Sequence, residues 1–187
     1  MKDLPRTREA YVAGQFYEGD PSRLRAGVES YLLAAEDMLK KDLLSGVPLA
    51  VISPHAGYVY SGKTAATAFS ILRGRKYKRA IVIAPSHSYR LQGLAYGDFD
   101  FYKTPLGSIS IDKEAVAKIA DACDYAINAE RVHLNEHSLE VQIPFLQIVQ
   151  PDIPIVPLIC GFVEGDIAER ISDALLDFFG GENIWII

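Results

Sequence analysis

LAVISPHAGYVYSG, residues 49–62, is the stretch of sequence that decides the fold. Its first four residues are apolar and predict a strand, which ends at Pro54 because proline has no backbone N–H to donate to a neighbouring strand. His55 follows directly, at the carboxyl end of the predicted strand. A helix is predicted to begin near Ser61 and to end before Gly74.

The same pattern returns about thirty residues later in the chain. Residues 80–84 (AIVIA) form a second apolar run, Pro85 ends it, and His87 lies just beyond. A strand that is apolar on both faces is typical of a parallel sheet buried between helical layers. Because ligands bind outside the carboxyl ends of the strands in such sheets, His55 and His87 are predicted to share one site.

The rest of the chain alternates helical patterns with apolar runs. This predicts an α/β fold with a mainly parallel or mixed central sheet and helices on both faces. Further helices are predicted over residues 20–40, 112–123, 136–150 (bent or shortened at Pro144) and 164–179, the last stopped by Gly180 and Gly181. Further strands are predicted over 153–159 and 183–187, with short antiparallel strands in 91–102, a turn at 104–107 and a return strand at 108–111. Residues 1–20 are expected to form an extended arm packed on the body.

The chain ends inside its last predicted strand, on Trp185-Ile186-Ile187. Natural termini usually trail off in polar residues. We therefore interpret residues 1–187 as a single domain that is incomplete at its C-terminus.

Composition excludes several classes of protein. The 187 residues are 49% hydrophobic and 23% charged, as in a soluble globular protein, and the net charge of −5 argues against a nucleic-acid partner. No apolar run approaches the roughly 20 residues of a membrane helix, and the N-terminus is too polar for a signal peptide. Cys123 and Cys160 do not form a disulfide framework, so a cytoplasmic location is expected. The glycines form no nucleotide-binding pattern.

The two histidines that follow strands suggest a metal site. Neutral imidazoles at neighbouring strand ends could bind one ion, and iron(II), zinc and copper all accept imidazole beside oxygen ligands. The alternative for His55 and His87 is a structural role, in which each ring hydrogen-bonds the backbone of its own loop.

A second polar cluster reads EHSLE at residues 136–140. His137 and Glu140 lie three residues apart on a predicted helix, so they share a face and could act as an acid–base or ligand pair. The alternative is an ordinary helix N-terminus, with Asn135 as the N-cap, Glu136 and Glu140 favourable to the helix dipole, and His137 on the surface.

Four other residues have both a structural and a functional interpretation. His133 is predicted to be structural or solvated in a polar loop, and Cys160, beyond a buried strand, to be a packed small residue. A Cys160-dependent hydrolase is the alternative, but no base lies near that cysteine in the sequence. Tyr58 and Tyr60 either line a pocket with their hydroxyl groups or cover the edge of the core.

Taken together and in order, the motifs closely resemble those of the Memo family. They are PHAGY at 54–58 with YSG at 60–62, APSH at 84–87, TPLG at 104–107, EHSLEVQ at 136–142 and PFL at 144–146. Each motif alone is weakly specific, whereas the ordered set, from about Tyr11 to the end of the chain, is highly specific. The resemblance implies the fold of the class III extradiol ring-cleaving dioxygenases, which bind non-haem iron(II) through histidines and a carboxylate.

The resemblance also implies roles for individual residues. His55 and His87 match metal ligands, and His137 matches a pocket histidine that donates or accepts a proton. Glu140 is predicted to be catalytic together with His137, on the spacing of the two residues. The residues expected to line the pocket are Tyr58, Tyr60, Ser86 and Glu136. Iron(II) is the implied metal, and copper and zinc are alternatives. The family's remaining site residues follow the strand that begins at Asn183. If truncation removes too many of these ligands, the site is expected to be empty.

For function, the resemblance implies a dioxygenase or oxidoreductase type of enzyme acting on an unknown small molecule or peptide. Its expected partners are an AMMECR1-type protein and a radical SAM protein, as in the AmmeMemoRadiSam system, in which this chain resembles protein B. The alternative is a non-catalytic protein that binds a partner or peptide through a vestigial metal pocket.

Overall fold

A computed structural model describes residues 4–39, 46–178 and 183–187 of the chain. The strands in these residues are β1 (Thr7–Arg8), β2 (Ala50–Val51), β3 (Arg79–Pro85), β4 (Leu94–Tyr96), β5 (Phe101–Thr104), β6 (Gly107–Ser110), β7 (Ala126–Asn128), β8 (Ile155–Cys160) and β9 (Asn183–Ile186). The helices are α1 (Pro21–Met38), α2 (Tyr58–Ser70), α3 (Lys113–Ala122), α4 (Glu130–Leu134), α5 (His137–Glu140), α6 (Ile143–Val149) and α7 (Gly165–Leu175), with a 3₁₀ turn over Leu176–Phe178.

The strands form two sheets. The larger has six strands in the order β2-β9-β3-β8-β4-β7, and every neighbouring pair is parallel except β4 and β8. The smaller has the order β1-β5-β6. The first five residues of β8 are all buried, so both faces of the large sheet are covered. The predicted α/β fold with a mainly parallel, mixed sheet is confirmed.

Helices pack in two groups around the large sheet. Contacts join α1, α2 and α6 to one another, while α3 contacts both α7 and β8. Helix α1 begins as predicted, because the Asp20 side chain accepts a hydrogen bond from the Arg23 N–H and Pro21 occupies the first turn. Asp112 caps α3 in the same way. No helix within the described ranges has both the length and the apolar character needed to cross a bilayer.

The N-terminal arm packs on the body, as expected. Strand β1 pairs in parallel with β5, which in turn forms a hairpin with β6 across the predicted turn. Arg8 of β1 is fully buried despite its charge, so the arm is anchored through a charged side chain as well as a strand.

Several predicted boundaries were wrong. The single helix predicted over residues 136–150 is two helices, α5 and α6, because Pro144 lies in the first turn of α6, where proline starts a helix. Glu136, rather than Asn135, is the N-cap of α5. Helix α2 begins at Tyr58, directly after Gly57, and not near Ser61.

Two short elements were not predicted at all. Strand β7 and helix α4 are three and five residues long, too short for a periodic pattern to develop. Strand β2 is shorter than its apolar run, because it lies at the edge of the sheet and Ile52 is exposed. The predicted end of the first helix at Lys40, and the end of the last at Phe179 before Gly180 and Gly181, lie outside the described residues.

Candidate metal centre

Three histidine rings converge at the carboxyl ends of the strands. His55 follows β2, His87 follows β3, and His137 is the first residue of α5. The centroids of the His55 and His87 rings are 5.2 Å apart, those of His87 and His137 are 4.4 Å apart, and those of His55 and His137 are 6.1 Å apart. The structure thus brings together the two histidines of the repeated pattern and adds the third from the second cluster.

A buried carboxylate lies behind these rings. The Glu136 side chain is 1% exposed and accepts hydrogen bonds from the backbone N–H groups of His87 (2.7 Å) and Ser138 (3.0 Å). Its Oε1 lies 2.9 Å from Nδ1 of His87 and 3.4 Å from Nδ1 of His137. Glu136 therefore caps α5 and contacts both rings with the same carboxylate.

This contact fixes which nitrogen of His87 can bind a ligand. A carboxylate beside Nδ1 favours the tautomer that carries its proton there, so the lone pair is on Nε2, on the far side of the ring from Glu136. Metal-binding histidines commonly have such a carboxylate behind them, because it orients the ring and increases its basicity. The His87 side chain is 41% exposed, so its ring is accessible to an ion from solvent.

Burial keeps two of the three imidazoles, His55 and His137, in the neutral form that can bind a metal. Desolvation lowers the pKa of His55 and of His137 below the ordinary value, and neighbouring histidines lower it further, against an opposing effect of Glu136. Burial by itself would raise the pKa of Glu136, but the hydrogen bonds from His87 and Ser138 lower it below the usual range. At neutral pH His55 and His137 are therefore neutral imidazoles, and they lie near an ionised carboxylate.

This donor set fits a first-row divalent metal. One ligand atom each from His87, Glu136 and His137 lies within 4.8 Å of the others. Because Glu136 lies behind the His87 ring, the atoms that can face an ion are histidine nitrogens, and imidazole suits iron(II), copper(II) and zinc alike.

Glu140 has other contacts. It is fully buried, and its carboxylate forms an ion pair with the Arg8 guanidinium. It also accepts hydrogen bonds from the N–H groups of Tyr11 (2.9 Å) and Val12 (3.0 Å) and from the Tyr17 hydroxyl (2.5 Å). All these donors belong to the N-terminal arm. The predicted catalytic role of Glu140 stays a prediction, while its contacts are those of a residue that anchors the arm.

The other predicted pocket residues lie around the cluster with different exposures. The Tyr58 ring is buried and its hydroxyl donates to the Val141 carbonyl at 2.7 Å, which matches the alternative of a residue covering the core. Tyr60 is 86% exposed. The Ser86 hydroxyl donates to the Tyr89 carbonyl at 2.7 Å and so stabilises the loop that carries His87.

Phe16 was not predicted to be near this site. Its ring centroid lies 4.7 Å from that of His137, so the arm forms one wall of the cluster. A sequence pattern could not reveal this contact, because the arm is irregular and lies more than a hundred residues away in the chain.

His133 has a purely structural environment. It lies in α4 rather than in a loop, is fully buried, and has its Nε2 atom 3.0 Å from the Ala95 carbonyl and its Nδ1 atom 2.5 Å from the Tyr102 hydroxyl. Burial lowers the pKa of His133 to about 4. This residue corresponds to the structural alternative that the sequence left open.

Cys160 is expected to react slowly with alkylating agents. Burial raises the pKa of its thiol, and the reactive species is the thiolate. At pH 7, iodoacetamide should therefore modify Cys160 more slowly in the folded chain than in the same chain in denaturant, as followed by mass spectrometry. A Cys160→Ser variant separates its signal from that of buried Cys123. Faster modification in the folded state would restore the hydrolase hypothesis.

Fold and site together define an α/β protein with a candidate metal centre at the carboxyl ends of parallel strands. The family model for Memo-like proteins matches residues 8–187. The chain belongs to this Memo-like family, and the resemblance seen in its motifs is confirmed.

Relatives from archaea and bacteria support the same assignment. A MEMO1 family protein of Archaeoglobus fulgidus is 36% identical over 172 residues, which are 90% of this chain and 60% of the relative. One from Thermotoga neapolitana is 34% identical, covering 96% of this chain and 68% of the relative. One from Thermoplasma volcanium is 33% identical, and the match covers 90% of this chain and 61% of the relative. This chain thus spans about three fifths to two thirds of the length of these curated relatives.

Proposed function

We propose that this chain contributes a non-haem metal centre to a dioxygenase-like oxidoreductase, with iron(II) as the metal. The observation that carries the proposal is the contact of Glu136 with the rings of both His87 and His137. The centroid of the His55 ring lies 5.2 Å from that of His87 and 6.1 Å from that of His137. In this proposal His55 and His87 hold the metal. When bound, iron(II) supplies a redox couple and open coordination positions for substrate and oxygen.

The residues of the chain have separate tasks in this proposal. Glu136 orients the His87 ring through Nδ1 and leaves Nε2 for the metal. The His137 ring, neutral at neutral pH, accepts a proton from the substrate at a ring nitrogen and returns it later. Phe16 packs on the His137 ring and keeps water away from that side.

Metal analysis tests the proposal. After anaerobic loading with iron(II) and dialysis, the chain should retain about one iron per molecule, measured by mass spectrometry of the metal. Replacing His55 and His87 together with alanine should remove it, because both proposed ligands are lost. His133→Gln is the matched control, since His133 is the histidine outside the cluster. Equal iron in the double variant and the wild type would overturn the assignment.

A second candidate function has its own observation. Ile52, Val59 and Tyr60 flank His55 and are all more than 80% exposed, as expected of a surface that binds another molecule. The alternative proposal is that the pocket binds a partner or peptide without turnover. Oxygen consumption with iron(II) and a panel of catechols, run beside a peptide-binding assay, distinguishes the two functions.

A further inference from the structure

The loops that carry His55 and His87 are not joined by the sheet. Strands β2 and β3 are separated by β9, and strands lie about 4.8 Å apart, so the two strand ends are about 10 Å apart. Sheet pairing alone therefore does not determine how the two rings approach each other. Another element has to connect the loops.

The segment Glu136–Gln142 makes that connection through two side chains. The Ser138 hydroxyl donates to the carbonyl of Pro85 at 2.7 Å, and Nε2 of Gln142 donates to the carbonyl of Pro54 at 3.2 Å. Ser138 and Gln142 are both buried. The two acceptors are equivalent, since each belongs to the proline that ends the apolar run before a histidine.

We infer that Ser138 and Gln142 are positioning residues for the histidine cluster, each holding one histidine loop against the segment that also carries Glu136 and His137. This inference rests on the proposed metal centre. Ser138 determines the position of the His87 loop and Gln142 that of the His55 loop. Each copy of the strand–Pro–His pattern thus has the same kind of contact, in which a buried side chain donates a hydrogen bond to the carbonyl of the proline.

The two contacts fit a positioning role better than a role in general stability. Both hydrogen bonds are partly buried, and in each the donor is a buried side chain from a distant part of the chain. Gln142 does not have the contacts expected of a residue that serves stability alone. Its Oε1 is buried and has no hydrogen-bond partner among the described residues. Such an atom costs free energy, so an apolar residue of similar shape should fold about equally well and lose only the contact with Pro54.

The chain contains matched controls for both residues. Ser70 is a buried serine whose hydroxyl donates to the Thr67 carbonyl at 3.0 Å. Gln150 is a buried glutamine whose Nε2 donates to the carbonyls of Leu72 (2.6 Å) and Arg75 (2.9 Å). Neither control contacts the histidine loops.

The test compares Ser138→Ala and Gln142→Met with Ser70→Ala and Gln150→Met. Each positioning variant should bind iron(II) about 10- to 100-fold more weakly than wild type, measured anaerobically, and should change the absorption spectrum of bound cobalt(II). The control variants should keep both the affinity and the spectrum, even if their unfolding temperatures fall. Ser138→Thr, which keeps the hydroxyl, should recover the wild-type spectrum.

Hydrogen exchange of the metal-free proteins provides a second readout. The loops over residues 53–57 and 85–88 should exchange faster in the Gln142 and Ser138 variants respectively, and not in the controls. If one variant does not fold, the other variant still tests the inference, because each variant affects a different histidine loop. Wild-type affinity, spectrum and exchange in the folded variants would overturn the inference while leaving the metal centre intact. If the wild type binds no metal, the proposed function itself fails.

Discussion

The Glu140→Gln variant is expected to lower the free energy of unfolding by about 3–5 kcal/mol, because it leaves the charge of buried Arg8 without its partner. Both side chains are essentially inaccessible to water. The Arg8 guanidinium also donates to the carbonyls of His133 (2.9 Å) and Glu136 (2.7 Å), so it cannot turn toward solvent when the carboxylate is lost. Urea denaturation at pH 7 measures the change.

A double-mutant cycle separates the ion pair from other effects of the substitution. Arg8→Met combined with Glu140→Gln should cost clearly less than the sum of the single changes, because neither buried group is then left charged and unpaired. If Glu140→Gln unfolds with wild-type stability but loses activity in an otherwise intact site, the residue is catalytic rather than structural. Strictly additive costs would also contradict the ion-pair argument.

Acid should destabilise the fold through His133, by about 3 kcal/mol between pH 7 and pH 4. The unfolded chain binds a proton at this residue near pH 6.5, whereas the folded chain binds it only near pH 4. The unfolded state thus binds more protons in this window, and stability falls as the pH falls. Burial is the main cause, the charge of Arg8 adds to it, and the Ala95 hydrogen bond and Glu136 oppose it.

The measurement is the free energy of unfolding of wild type and His133→Gln at pH 7, 5 and 4. The variant is expected to be less stable at pH 7 but to have a shallower pH dependence, because it carries no titrating group at this position. Protonation of Glu136 also lowers the free energy of unfolding as the pH falls, because its pKa is lower in the folded chain than in the unfolded chain. This contribution is present in both the wild type and the His133→Gln variant. Parallel pH profiles would show that His133 is not responsible.

Local patterns made the core of the site predictable. The strand–Pro–His repeat consists of adjacent residues, and the rule that parallel strands present their carboxyl ends at one edge brings His55 and His87 together. The second cluster was harder to interpret. The spacing of His137 and Glu140 suggests a shared function, yet in the structure one faces the histidines and the other the arm.

What the sequence could not reveal depends on contacts between distant residues. Glu140 pairs with Arg8, which is 132 residues away, and nothing near either residue indicates the other. Phe16 against His137 is a similar case. Glu136 lies next to His137 in the chain, but its role as the helix cap that also contacts His87 emerges only when the loop after β3 meets α5.

The position of β2 has a consequence for how the protein is made. In the described residues this edge strand pairs with β9 alone, and β9 lies about 130 residues later in the chain. While the polypeptide is being synthesised, the segment with His55 emerges long before the strand that attaches it to the sheet. Such distant pairing makes folding slow, so we expect the histidine cluster to be among the last regions of a newly made chain to become ordered.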